Sequence, residues 1–191
     1  MGFYFIENMN NKRRAAVFID GSNFYFKMKS LGIKNLRKYG YFALCKDLAG
    51  EREIITIGYY VGVVRAAFND EKGQKLRLAQ RNLFNHLRDQ KVIVHKGYLM
   101  KNDGVYHEKG VDVKIATDLL VGAYEDLYDD AIVISSDTDL LPAMQKVKEK
   151  GKNVEYVGFG HQPALALQTA ATRSRLLLIE ELEKFVDKSE K

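Results

Sequence analysis

A run of five residues, Ala131-Ile-Val-Ile-Ser135, does most to limit what this chain can fold into. It is short, apolar and rich in β-branched side chains, the marks of a strand covered on both faces. Helical patterns flank it, from Asp112 to about Tyr124 and from Asp139 to Lys150. Pro142 falls in the first turn of the second helix, where its missing N–H costs nothing, and Gly151 stops that helix. A doubly covered strand between two helices predicts a parallel sheet built from strand–helix–strand units.

The same alternation runs through the rest of the sequence. Residues 1–11 read as a tail, and 12–191 as one domain. Arg14 to Asp20 reads as a buried strand ending in an acid, followed by a helix from Gly21 closed by Gly32, with Ser22 or Asn23 as its cap. A short helix, Tyr41 to Ala49, ends at Gly50. Glu53 to Val61 is a β-branched and aromatic strand. Gln74 to Gln90 is helical, with Leu76, Ala79, Leu83 and Leu87 spaced to face a core and Arg77, Arg81 and Arg88 beside them. Lys91 to His95 reads as a strand, and Asn102-Asp-Gly104 as the turn of a hairpin between Gly97–Met100 and Val105–Glu108. Beyond Gly151, Asn153 to Phe159 is a strand, Pro163 to Ala171 a short helix, Leu176 to Ile179 an edge strand and Glu180 to Lys188 a polar helix. The expectation is an α/β fold: a mostly parallel central sheet with right-handed crossovers and helices on both faces.

Composition narrows the function classes. With 46% apolar residues and two prolines the chain can bury a core. Its one cysteine, Cys45, excludes a disulfide framework and a cysteine-based zinc site. No apolar run reaches membrane-spanning length and no secretory signal is evident, so a cytoplasmic protein with no membrane partner is expected. The net charge of +5 fits a polyanionic partner.

Set against that basic surface is an acidic pattern. Asp20, Asp112, Asp137 and Asp139 each fall at a strand end or a helix start, where open α/β sheets bind ligands. Carboxylates brought together there repel unless protonated or shared by a cation, so their pKa values should be raised. Oxygen-only ligation suits Mg²⁺ or Mn²⁺, which can assist attack on a phosphodiester. Helix capping is the competing role for Asp112, Asp137 and Asp139; it accounts poorly for Asp20, which follows a buried run. Ser135, Ser136 and Thr138 could orient ligands or a phosphate. Lys109, Lys114, Arg65 and Arg173 are the candidate phosphate contacts. His86, His95, His107 and His161 show no metal-ligand spacing, and no P-loop, Gly-x-Gly-x-x-Gly or Gly-x-Ser-x-Gly pattern occurs.

Three segments in order, Phe18-Ile-Asp-Gly-Ser-Asn-Phe24, Lys109-Gly-Val-Asp-Val-Lys-Ile-Ala-Thr-Asp118 and Ser135-Ser-Asp-Thr-Asp-Leu-Leu-Pro142, resemble the NYN domain, LabA-like branch. Lys148 to Gly158 continues the likeness, which runs from about Arg14 to Glu180. The resemblance implies a PIN-like, Rossmann-like three-layer sandwich and metal-dependent RNA cleavage, single-stranded RNA being favoured. It carries the family's acidic roles onto Asp20, Asp112, Asp137 and Asp139, with Asn23 and Asp118 as supporting polar groups. Ser136 stands where the family often has glycine. A homodimer is left open. The rival readings are a non-catalytic RNA-binding or regulatory module, a phosphatase and a TOPRIM-like nuclease. Ser22 stands where a phosphatase would carry its second acid, and Asp20 where a TOPRIM site would prefer glutamate.

Overall fold

In the computed structural model, which describes residues 12–33, 35–64, 70–102 and 105–187, alternating strands and helices form one sheet with two helical layers. In chain order the elements are β1 (Arg14–Asp20), α1 (Gly21–Ser30), α2 (Tyr41–Ala49), β2 (Glu53–Val63), α3 (Glu71–Asp89), β3 (Ile93–Asn102) and β4 (Val105–Lys109). Then follow α4 (Val111–Tyr124), β5 (Asp130–Ile134), α5 (Leu141–Glu149), β6 (Asn153–Phe159), α6 (Leu165–Ala170), β7 (Arg173–Leu177) and α7 (Ile179–Leu182). The seven strands lie in the order β4-β3-β2-β1-β5-β6-β7. Every neighbouring pair is parallel except β3 with β4.

The period of two along β1 assigns its side chains to the two layers. Ala15, Val17 and Ile19 join Phe24 and Met28 of α1, Leu44 and Leu48 of α2 and Leu87 of α3. Ala16 and Phe18 join Ile115 and Leu119 of α4, Met144 of α5 and Leu167 of α6. Because β1 is buried on both faces, it can be apolar from Ala15 through Ile19, up to Asp20.

Several expectations shift, among them the edge strand expected over Leu176 to Ile179: it is β7, Arg173–Leu177, and Ile179 opens α7. The expected break after His95 is absent: β3 runs on to Asn102, parallel to β2 as far as Tyr98 and antiparallel to β4 beyond it. Gly97 does not end the strand but makes room, since a Cβ there would lie 2.5 Å from Val111 Cγ2 and 2.9 Å from the Lys109 carbonyl. The α3 helix starts earlier than its apolar stripe, at Glu71, because Asp70 accepts a hydrogen bond from the Gly73 N–H at 2.9 Å. Of that stripe only Leu87 is fully buried and Leu76 is exposed, so just the last turns of α3 pack on the core. The final polar helix is a single turn, α7, followed by a 3₁₀ turn at Glu183–Phe185. The tail over 1–11 and the turn residues Asp103 and Gly104 lie outside the described residues.

At the junction of β1 and α1 the backbone of Gly21 is held against β2. The Tyr59 hydroxyl donates to the Gly21 carbonyl at 3.1 Å. A Cβ on residue 21 would meet Tyr59 Cε1 at 2.3 Å and the Tyr60 carbonyl at 2.7 Å. Neither can yield without moving the sheet, so Gly21→Ala should destabilise by about 1–3 kcal/mol. That lowers the melting temperature by roughly 2–4 °C per kcal/mol in a chain of this size. A thermal melt matching wild type would show that the contact is looser than this packing requires.

Candidate active site

The sheet changes winding direction between β1 and β5. From β1 the chain passes to the layer of α1, α2 and α3, and it reaches β5 through α4 in the other layer. The carboxyl ends of β1 and β5 therefore diverge into a crevice, where open α/β sheets take their ligands. Asp20 ends β1 and Ser135 directly follows β5.

These two residues are bonded. The Ser135 hydroxyl donates to Asp20 Oδ2 at 2.8 Å and in turn accepts the Asp137 N–H at 3.0 Å. Asp20 Oδ1 accepts the Asn23 N–H at 3.0 Å, so Asp20 is the cap of α1. This corrects the expectation that Ser22 or Asn23 caps α1 and that capping explains Asp20 poorly. Asn23 is free for another role: its Oδ1 accepts the Ser136 N–H at 3.1 Å, a second tie across the crevice. Asp137 Oδ1 accepts the Asp139 N–H at 2.9 Å and caps the 3₁₀ turn Thr138–Leu140, which leads into α5. Asp112 sits in the first turn of α4, behind Gly110 at φ 79°, and no side chain caps that helix. Capping and ligand binding thus do not sort these acids into two groups.

The electrostatics tie the same residues together. Burial, first of all, pushes the Asp20 carboxyl up to about 6, with Asp112 and Glu108 adding repulsion against the stabilising bonds from Asn23 and Ser135. Asp112 is also raised, again by burial and then by Asp137, Glu108 and Asp139. The expected elevation is present at these two positions, but burial leads it.

Glu108 was not among the expected site residues. Its Oε2 accepts the Ser22 hydroxyl at 2.7 Å and the Gly62 N–H at 2.5 Å. Residue 62 has to be glycine for this, since a Cβ would lie 2.7 Å from that oxygen. The available signals were the serine of Asp-Gly-Ser-Asn and an acid four residues ahead of Asp112. Neither reveals the β3–β4 pairing that swings Glu108 toward β2.

The other candidates fall in different places. Asp118 belongs to a separate group: its Oδ1 accepts Lys114 Nζ at 2.6 Å, its Oδ2 accepts the Tyr60 hydroxyl at 3.1 Å, and His95 Nδ1 lies 3.5 Å away. Lys114 is therefore engaged along its own helix. Arg173 is at the wrong end of the sheet for a phosphate held in this crevice. It opens β7 and donates to Asp130 Oδ1 at 2.9 Å. Asp130 is a fully buried acid at the start of β5, also bound by Arg13 at 2.7 Å. Lys109 is exposed beside Gly110 at the rim, Thr138 is exposed, and Ser136 Oγ is a buried hydroxyl without a hydrogen-bond partner among the described residues. Arg65 lies outside the described residues.

Among the described residues, no three of the Asp, Glu, His and Cys side chains stand close enough to hold a metal ion as they are. The donors nonetheless fit a hard cation. All are carboxylate oxygens, and Mg²⁺ is commonly held by one or two carboxylates while keeping several waters.

With fold and site described, the class follows. The NYN domain family model matches residues 14–178, and the chain belongs to this family, part of the PIN-like nuclease superfamily. The structure resembles that of a protein of unknown function from Vibrio parahaemolyticus RIMD 2210633, with a TM-score of 0.67 at 21% identity over 91% of this chain and 96% of that one. That likeness concerns the fold. No curated protein matches the chain.

The elevated carboxyl of Asp20 has a consequence for stability. Its folded value of about 6 exceeds its ordinary 3.8, so the folded state binds this proton more tightly than the unfolded chain. The stabilisation is fully present below the ordinary value and is lost as pH rises through about 6. It amounts to something on the order of 3 kcal/mol. Urea unfolding of metal-free wild type should show this loss across that window, and Asp20→Asn should flatten it while keeping a capping side chain. Parallel curves for the two proteins would refute the assignment.

Proposed function

We propose that this protein is a metal-dependent ribonuclease of the LabA-like branch, cutting single-stranded RNA in the crevice between β1 and β5. The observation that carries the reading is the hydrogen bond from Ser135 to Asp20. It holds the buried acid of one segment against the loop that bears Asp137 and Asp139, while Asp112 is close enough to repel both sides. Asp20, Asp112, Asp137 and Asp139 would hold Mg²⁺ or Mn²⁺. When bound, such an ion supplies Lewis-acid charge at a phosphodiester and makes water a better nucleophile. The chain's own contribution is placement. Asn23 and Ser135 fix the Asp20 carboxylate and the β5 loop as one unit. Glu108 is anchored at the rim by Ser22 and Gly62. Lys109, exposed and next in the chain to Glu108, is the candidate cation for a phosphate oxygen.

One observation favours a second reading. Among the described residues no three acids converge to ligand distance, which suits a module that binds RNA in this crevice without cutting it. Turnover separates the two. Cleavage of mixed-sequence single-stranded RNA should require Mg²⁺ or Mn²⁺ and vanish with chelator. Asp20→Asn and Asp137→Asn should each lower kcat/KM by about 100-fold or more, since an anionic ligand sets both metal affinity and position. Mn²⁺ should also raise the melting temperature of wild type more than that of either variant. Pure wild type that binds RNA yet never cuts it in any of several divalent metals would leave the binding module standing.

A further inference from the structure

Away from the acidic crevice, a basic groove runs along α3. Two hollows of about 410 and 570 Å³ share Arg81 and Phe84 and so form one trough between α3 and the strands β2 and β3. Arg77 and Arg81 stand four residues apart and Arg88 two turns beyond Arg81, which places the three on one helix face. Lys91 and Lys96 complete the far end, with Lys96 Nζ 5.6 Å from the centre of the Phe84 ring. Among the described residues no carboxylate lines either hollow. Five cations along one trough, in a chain whose net charge is only +5, are a local concentration rather than an average.

The groove is also joined to the crevice. Gln80, on its wall, donates to the Gly62 carbonyl at 2.7 Å and accepts the Val64 N–H at 3.0 Å. The N–H of that same Gly62 binds Glu108 at the rim of the acid cluster. One residue of β2 thus touches both features.

We propose that this groove carries the sugar–phosphate backbone of a single-stranded RNA leading to or from the acidic crevice, with Phe84 as an aromatic floor. A positively charged groove with an aromatic side chain in it is how proteins track single strands without reading sequence. The concavity and the partly buried ring suit a strand; Leu78 and Ile93, exposed along the same trough, are the side chains a lipid surface would take, and the test separates that outcome. The proposal rests on RNA being the substrate of the crevice, but it makes no use of cleavage.

The test is binding in the presence of chelator, measured by fluorescence anisotropy with a labelled oligouridylate over a range of salt concentrations. The double variant R81Q/R88Q changes two exposed side chains, and its fold is checked by a thermal melt. It should bind about 5–10-fold more weakly at low salt, and the slope of log affinity against log salt should shrink by about 1.4, roughly 0.7 for each lost phosphate contact on a single strand. Unchanged affinity and slope would overturn the groove. So would unchanged RNA binding together with lost sedimentation on phosphatidylserine vesicles, which would assign the cations to a membrane. Wild type that fails to cut in Mn²⁺ while the variant still loses RNA affinity would remove the hydrolytic reading and leave the groove intact.

Discussion

The hydrogen bond from Ser135 to Asp20 is the contact on which the rest of the candidate site depends. It joins two segments more than a hundred residues apart in sequence, at the point where neighbouring strands β1 and β5 send their chains into opposite layers. The geometry around it is cooperative. Asp20 caps α1, which positions Asn23, which accepts the N–H of Ser136, while Ser135 itself orients Asp137. A buried hydroxyl with one donor and two acceptor sites suits this position, because it can donate to a carboxylate and accept from a backbone amide at once. Alanine there would leave both partners unsatisfied in a place that water reaches poorly.

The molecule separates its charges by location. The acids whose ionisation burial and like charge oppose, Asp20 and Asp112, sit at the carboxyl ends of the strands, and among the described residues neither has an ion pair. At the amino ends the reverse holds. Burial alone would raise Asp130, yet Arg13, Asn153 and Arg52 outweigh it and leave it below its ordinary value. Glu155 nearby is paired with Arg52 at 2.7 Å. The first arrangement stores unfavourable energy that a cation or a proton relieves, and the second is self-contained.

Local pattern gave most of the fold. The bounds of β1, α2 and β6 follow from apolar runs closed by glycine or an acid, signals carried within a few residues. Asp20, Asp112, Asp137 and Asp139 stood out because they interrupt such runs. What stayed hidden depends on pairing across long separations. Arg173 looks like any surface cation until the sheet order puts it at the amino edge beside Asp130. Glu108 looks like a hairpin residue until β3 is seen to change partners at Tyr98. Asp118 has the spacing of a family acid, and only the approach of β2 and β3 gives it Tyr60 and His95 instead.

That change of partners along β3 makes the edge of the sheet a kind of vernier. The β4 strand is five residues long and, among the described strands, pairs with β3 alone, so its alignment is the sum of one parallel and one antiparallel register. A slip of one residue in the second would turn Glu108 to the opposite face, and a slip of two would carry it about 7 Å along the strand. Both would release Ser22 and the Gly62 amide while leaving the central strands untouched. Fidelity at this margin is therefore a matter of alignment rather than of folding. A molecule could melt at the normal temperature, keep its core, and still present a crevice with its rim missing.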